Sequence, residues 1–436
     1  MASMSKKTWW ILVGALLTAV ALAVAGVVGY GVVQQRAAIT HAPPLELPEP
    51  TPPLTPVSSF EPVGDDEAES LRAALADAAD AEELGDVGVE VLDGATGQPV
   101  FEKQGDKPLR PASTTKVLTA AAAVTVLGHD DRIETTVVRG EEPGEFVLKA
   151  AGDVWLTDDR LEDLAAQLKG LGEDVKTIGV DTSIWSGERF LDGWLEEDID
   201  AGFIAPLEPA MLNGGRLDGS EEGDVPRAHE PAEEVADALA EKTGAESAGT
   251  VSAPAGAEAV ASTTSPLLVD RLRVMMHQSD NVMAEAISRE VALARGENAD
   301  VAGATRATLE ALGELGLDVE SVDLHDNSGL SVDNRIPAEV LAELFRVAID
   351  NDSLRPLLSS LPVGAASGTL APRFSQEPGG GWVRAKTGSL DETNALAGVV
   401  PSESGHIFAF AVIANDCEVW PARDAIDRIA GILREA

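Results

Sequence analysis

Cysteine occurs once in 436 residues, at Cys417. A single thiol excludes a disulfide within the chain and any paired-cysteine metal or redox motif, so cysteine usage is silent about compartment. Positive charge is also scarce. Lys and Arg number 32 against 74 Asp and Glu, a formal net charge of −42. That balance excludes a broad electrostatic grip on nucleic acid or anionic lipid, and no nucleic-acid partner is expected. Histidine offers no metal site either, since His277 and His325 each lack a second ligand at metal spacing. There is no long-period internal repeat. The acidic passage around Glu221 reads as a solvated loop.

What the chain does have begins at its N-terminus. Lys6 and Lys7 precede TWWILVGALLTAVALAVAGVVGYGVV, and residues 9–33 carry no charge. At ~1.5 Å per residue such a run crosses a hydrocarbon layer of ~30 Å with some tilt. A secretory signal core is shorter, ~7–15 residues, so the run reads as an uncleaved anchor with its two lysines cytoplasmic. Trp9, Trp10 and Tyr30 are then interface residues. Ala21-Leu22-Ala23 and Ala23-Val24-Ala25 also have the small-x-small form of a cleavage site, so anchor and cleaved signal both stay open. Either way the rest of the chain is expected outside the cytoplasm, at the cell envelope. The next stretch, HAPPLELPEPTPPLTPVSSFEPV, holds eight prolines and reads as an extended stalk.

The boundaries expected are an anchor or signal over 1–34, a linker over 35–65, a first catalytic part over 66–131, an inserted domain over 132–262 and a second catalytic part over 263–436. DDEAESLRAALADAADAEEL is a helix signal, followed by two short strands joined through DGATGQ as a hairpin. A second helix begins near Ser113 and stops at Gly128. The insert mixes strand-like pieces (IETTVV, EFVLKA, TIGVD) with the amphipathic RLEDLAAQLKGL. Beyond it, Ser265 is expected to cap a helix with Pro266 in its first turn. GWVRAKT, NALAGVV and HIFAFAVIA are strand signals, and ARDAIDRIAGILRE closes the chain as a helix. Helices at both ends around antiparallel strands imply an α/β layered domain.

One triplet occurs twice, as Lys242-Thr243-Gly244 and as Lys386-Thr387-Gly388. The first ends a helix-like run, where a late lysine suits the helix dipole and glycine the C-cap. The second lies on an alternating strand and has company. PASTTK supplies Ser113 and Lys116 three apart at a helix start, and HQSDNV supplies Ser279, Asp280 and Asn281 between two helices. Three residues apart on a helix, the lysine amine reaches the serine hydroxyl as a base. A free lysine, pKa ~10.4, is a poor base at neutral pH, so burial or a second cation such as Lys386 must depress it.

In this order the three motifs resemble those of the penicillin-recognising serine acyltransferases. A string at residues 3–6 also has the Ser-x-x-Lys form but lies before the apolar run and has no partner. Motif starts at 113, 279 and 386 are 166 and 107 residues apart. The first gap is longer than in class A β-lactamases and resembles the D-alanyl-D-alanine carboxypeptidase/endopeptidase family, the class C low-molecular-mass penicillin-binding proteins. AGDVWLT, GWLEEDIDAGFIAPLEPAMLNGG, HDNSGLSVDNR and LPVGAASGTLAPRF look similar to that family too. The insert is shorter than the family's usual pair of inserted modules, and residues 364–367 depart from its usual turn.

This resemblance implies a penicillin-binding/β-lactamase-like transpeptidase fold: an antiparallel sheet flanked by helices, an all-α region, and a domain inserted between the first two motifs. It also implies a serine D-Ala-D-Ala carboxypeptidase, with DD-endopeptidase activity open. Its partners would be peptidoglycan stem peptides, β-lactams as covalent inhibitors, and a membrane through residues 9–33. Ser113 would be the nucleophile and Lys116 its base, with Ser279 and Lys386 moving protons. Asn281 would hold the peptide amide, Thr387 and Ser389 the terminal carboxylate, and the backbone N–H groups of Ser113 and Ser389 the oxyanion. No metal or organic cofactor is needed. A β-lactamase of the same superfamily and an inactive wall-binding relative are the rival readings. LEPAMLNGG resembles the string that carries the deacylating base of class A β-lactamases, but Glu208 and Asn213 are one residue too far apart, and Glu208 is expected to be exposed.

Overall fold

In the computed structural model, residues 6–37 and 61–436 are described. Most of the proline-rich stretch and of the string at 3–6 lies outside them. The first element, α1 (Lys6–Ala37), stands as a unit of its own. Its segment Val13–Val33 is long and apolar enough to cross a membrane by length and composition. Leu16, Leu17, Leu22 and Val27 along it are exposed, and the helix is apolar all round.

The elements of the second unit follow in chain order: α2 (Asp65–Ala79), β1 (Asp86–Asp93), β2 (Pro99–Lys103), α3 (Lys116–Leu127), β3 (Glu134–Arg139), β4 (Glu145–Lys149), β5 (Asp153–Leu156), α4 (Asp158–Gly170), β6 (Thr177–Asp181), α5 (Glu197–Asp200), β7 (Ala210–Leu212), α6 (Pro231–Thr243), β8 (Glu246–Thr250), β9 (Ala259–Thr264), α7 (Leu268–Gln278), α8 (Asn281–Arg295), α9 (Val301–Glu314), α10 (Ala338–Asp350), α11 (Arg355–Ser360), β10 (Arg384–Leu390), β11 (Thr393–Pro401), β12 (Ile407–Asn415) and α12 (Val419–Glu435).

Strand periodicity builds the first sheet, ordered β10-β11-β12-β1-β2 and antiparallel throughout. Phe408, Phe410 and Val412 of β12 point to one face with Leu396 and Val400 of β11, where Leu75 of α2 and Ile426, Ile429 and Leu433 of α12 cover them. The alternate residues Ala409, Ala411, Ile413, Ala395 and Ala397 point the other way, into the layer of α3, α8, α9 and α10. A strand buried on both faces thus keeps its period of two, with the phenylalanines toward one layer and mainly alanines toward the other. The hairpin between β1 and β2 closes as its sequence demands: Asp93 Oδ1 accepts the N–H groups of Ala95 at 2.7 Å and Thr96 at 3.1 Å.

Residues 134–264 form a second five-stranded sheet, ordered β8-β6-β4-β3-β9, with its own core beneath α4 and α6. Here β4, β6 and β8 run parallel, and β5 pairs with β7 as a separate ribbon. Downstream, the sequence expectation at Ser265 fails. Its hydroxyl accepts from Ile133 N and donates to the Pro266 carbonyl, both at 2.9 Å, and α7 starts only at Leu268. The side chain is used to fasten two strands of chain together, and the first N–H groups of α7 are met instead by the backbone carbonyls of Asp131 (from Leu268, 2.9 Å) and His129 (from Val269, 3.3 Å).

Candidate active site

The stretch PASTTK forms a 3₁₀ turn, Ala112–Thr115, that runs straight into α3. Thr114 and Thr115 fix the turn by donating their hydroxyls to the carbonyls of Pro111 at 2.6 Å and Ala112 at 2.9 Å. Ala112 is held at φ 47°, a left-handed conformation that a residue with Cβ resists. A glycine from the opposite loop presses on it. A Cβ on Gly329 would lie 1.9 Å from the Ala112 carbonyl oxygen. Ser113, half-buried next to this strained residue, presents its hydroxyl to α3.

Lys116 is fully buried, and its Nζ has three partners: Ser113 Oγ at 3.0 Å, Asn281 Oδ1 at 2.6 Å and the Ser328 carbonyl at 2.7 Å. Two of them accept only. A neutral amine that gives its two N–H groups to those oxygens aims its lone pair at Ser113. Burial pulls the Lys116 pKa down to about 8, although Asp326, Asp280 and Glu285 oppose the shift. On that basis roughly one molecule in ten carries the neutral amine at pH 7. The loop holding Ser328 is itself pinned, because buried Glu285 of α8 accepts the N–H groups of Asn327 and Ser328 at 2.8 Å each.

Ser279 and Asp280 join α7 to α8. Ser279 ends α7 in the left-handed region at φ 59°, and Asp280 caps α8 by accepting from Met283 N at 2.9 Å. Burial pushes the Asp280 carboxyl upward, but the Arg227 and Arg216 guanidiniums outweigh it and hold the group well below the usual range. Asn281, besides receiving Lys116, donates Nδ2 to the Phe203 carbonyl at 2.9 Å. That bond fixes which way the amide faces.

Lys386 lies on β10, the edge strand of the first sheet. It is fully buried and donates to Ser279 Oγ and to the Thr387 carbonyl, both at 2.8 Å. Burial, and then the nearby Lys116, push its pKa well below the ordinary lysine value. Thr387 Oγ1 donates to Thr369 Oγ1 at 2.8 Å, and Ser389 is exposed farther along the same edge. Ser113, Lys116, Ser279, Asn281 and Lys386 are thus joined by two hydrogen-bonded chains, with Thr387 and Ser389 on the strand beside them. A cavity of about 260 Å³ opens next to Ser279, Asn281 and Thr369.

Two partners of this site were not singled out from sequence, the Ser328 carbonyl and the Thr369 hydroxyl. Both lie in strings quoted for their family likeness, HDNSGLSVDNR and LPVGAASGTLAPRF, and that likeness was the available signal. Glu208 is a correction. It is buried, not exposed, and its two oxygens accept from Arg189 Nη1 at 2.7 Å and from Ala232 N at 2.6 Å. The free N–H groups at the start of α6 and one arginine draw this carboxylate inward.

Comparison with known proteins bears on family and fold. The D-Ala-D-Ala carboxypeptidase 3 (S13) family pattern matches residues 70–232 and 219–436. Carboxypeptidase DacB of Mycolicibacterium smegmatis is 40% identical over 419 residues, covering 91% of this chain and 90% of that protein. A D-alanyl-D-alanine carboxypeptidase of Actinomadura sp. is 28% identical over 423 residues, covering 75% and 77%. Among solved structures, penicillin binding protein 4 (dacB) of Haemophilus influenzae superposes with a TM-score of 0.69 at 23% identity, over 83% of this chain and 97% of that one, a likeness of fold. With the family pattern spanning residues 70–232 and 219–436 and a relative 40% identical over 91% of the chain, the protein belongs to the D-Ala-D-Ala carboxypeptidase 3 (S13) family.

Proposed function

We propose that the protein is an envelope-located serine D-Ala-D-Ala carboxypeptidase, held by or exported through its apolar N-terminal helix, that hydrolyses peptidoglycan stem peptides through an ester on Ser113. One observation carries the reading: buried Lys116 has two oxygens that only accept and one hydroxyl to deprotonate. Lys116 takes the Ser113 proton as Oγ attacks the carbonyl carbon of the penultimate D-alanine. The N–H groups of Ser113 and Ser389 stabilise the resulting oxyanion. The C–N bond then breaks, and Ser279, oriented by Lys386, gives its proton to the departing amine and is reprotonated by the proton that Lys116 took from Ser113. Thr387 and Ser389 hold the terminal carboxylate, and Asn281 faces the peptide amide. Water attacks the ester, a proton passes back to Ser113, and the shortened peptide leaves as an acid. Cross-linked peptides, whose leaving amine belongs to a second stem, fit the same chemistry.

β-Lactams would enter as substrates that acylate Ser113 and leave slowly. Glu208 supports this over a β-lactamase, since its carboxylate is tied to Arg189 and to the start of α6, and no hydrogen bond among the described residues joins it to Ser113, Lys116 or Ser279. The test is an intact-mass time course of the detergent-solubilised protein with benzylpenicillin, alongside D-alanine release from a stem pentapeptide. The expected result is one long-lived adduct and steady D-alanine release, both abolished in Ser113→Ala. D-Alanine release by that variant would sink the assignment. Rapid penicillin loss without an adduct would favour a β-lactamase, and neither adduct nor release a wall-binding role.

A further inference from the structure

We infer that the second sheet and its loops, residues 134–264, are a built-in part of the reaction centre: Arg216, Arg227 and Trp194 are positioning residues that hold two of the three partners of Lys116. The inference rests on the reading of Lys116 as the base.

The first hold is on the loop of Ser279 and Asn281. Asp280 lies between them with its carboxylate out of solvent. While Oδ1 caps α8, Oδ2 receives Arg216 Nη2 at 2.7 Å and Arg227 Nη2 at 2.8 Å. Neither guanidinium can wander. Arg227 gives Nε to the Gly202 carbonyl at 2.9 Å and Nη1 to that of Gly214 at 2.6 Å. Arg216 gives Nε to Gly223 at 3.0 Å and Nη1 to Asn213 at 2.9 Å. Gly214 has no side chain because a Cβ there would meet Arg227 Nη1 at 2.8 Å. The same segment supplies the Phe203 carbonyl that orients the Asn281 amide, leaving Oδ1 for Lys116.

The second hold is on the loop of Ser328. Trp194 donates its indole N–H to Asp326 Oδ2 at 3.1 Å, and Asp326 organises that loop by accepting from Gly329 N at 2.7 Å, Ser331 N at 2.6 Å and Asn334 Nδ2 at 2.6 Å. The Ser328 carbonyl that receives Lys116 sits in the middle of this turn. Asn281 and Ser328 approach Lys116 from two different elements, and each is held by a side chain or carbonyl of residues 134–264. Misplacing either by a fraction of an ångström redirects the amine lone pair while leaving Thr387 and Ser389 on β10, the proposed carboxylate holders, in place.

A purely structural role would lower stability and leave the chemical step alone, so the test separates binding from acylation. For the full-length protein in detergent, the rate of benzylpenicillin adduct formation across concentration gives the non-covalent Kd and the first-order acylation rate. In Arg227→Gln the acylation rate should fall roughly 10- to 100-fold, with a much smaller rise in Kd from the shift of Asn281. Arg227→Lys should recover part of the loss, and Trp194→Phe, which keeps the ring and removes only the donor, should lose roughly three- to tenfold. A folded Arg227→Gln that acylates at the parent rate, or loses only Kd, overturns the inference. If Arg227→Gln does not fold, Trp194→Phe decides alone, and an unchanged acylation rate there overturns it. Absence of any Ser113 adduct in the parent protein overturns the reading of the site itself, whereas an acylating parent matched by its variants overturns only the positioning role.

Discussion

Lys-Thr-Gly occurs twice in this molecule, and the two copies do different things because of what surrounds them. At residues 242–244 the triplet ends α6. Lys242 reaches Asp158 at 2.6 Å, Thr243 bonds back to the carbonyls of Leu239 and Ala240, and Gly244 caps the helix at φ 78°. Every contact is local, electrostatic or conformational, as expected for a helix end. At 386–388 the lysine is buried, has no carboxylate partner among its hydrogen bonds, and shares its surroundings with a second lysine. Identical sequence therefore carries no chemistry by itself. Burial without a counter-charge is what sets the second copy apart and supports the proton-handling role proposed for it.

The strongest way to break that contrast is to remove each lysine. Lys386→Ala should lower the rate of D-alanine release by on the order of 10²–10⁴, the usual contribution of a positioned proton-transfer group. Lys242→Ala should leave it unchanged. Equal losses in steady-state assays of the two variants would mean that the surroundings argument is wrong.

A smaller effect separates the two lysines through pH. Lys116 acts as a base only when neutral, and its pKa lies near 8, held down by burial against the pull of Asp326, Asp280 and Glu285. The neutral fraction grows as pH rises through 8. Acylation should therefore fall about tenfold for each pH unit below that point. Lys242→Ala should keep the same limb. A profile flat from pH 6 to 9 would remove Lys116 from the base role.

What sequence could supply here followed the range of each interaction. Ser113 and Lys116 were legible because a helix start puts residues three apart on one face, whatever the tertiary structure. The layered α/β fold was legible from strands such as NALAGVV and HIFAFAVIA, whose apolar runs require cover on both faces. Ser328 and Arg227 were different: one acts through a backbone carbonyl and the other through a charge pair 53 residues distant. Neither leaves a local pattern. The errors have the same origin. Ser265 looked like a cap because serine before proline usually is one, yet it bonds to Ile133, 132 residues away. Glu208 looked exposed because acidic residues usually are, until α6 and Arg189 drew it in.

The threonines extend the comparison to substrate binding. Thr387 shares a hydrogen bond with Thr369 beside the cavity, whereas the Thr243 hydroxyl only returns to its own helix. Thr387→Val should raise KM for the stem pentapeptide roughly tenfold, the cost of leaving a charged carboxylate one hydrogen bond short, with a smaller change in kcat. Thr243→Val should change neither constant. A kcat loss larger than the KM rise at 387 would place that hydroxyl in the chemistry instead.

The smallest effect belongs to the first copy's own ion pair. Lys242 and Asp158 meet at 2.6 Å, but Asp158 is largely open to solvent, its side chain 76% exposed. Water screens the attraction, and ordering two side chains offsets most of it, so such pairs stabilise by about 0–1 kcal/mol. Lys242→Ala should shift the unfolding midpoint little, and the shift should shrink further in 0.5 M salt as the Debye length shortens. Lys386→Ala obeys no such rule, since its ammonium is out of solvent's reach and, where charged, faces another lysine. Removing it relieves a buried cation while leaving a void, so its stability change should be insensitive to salt. Denaturant melts of the two variants at low and high salt test this directly: a salt-dependent loss at 386, or a salt-independent one at 242, would mean that solvent reaches the two lysines in the opposite sense to their burial.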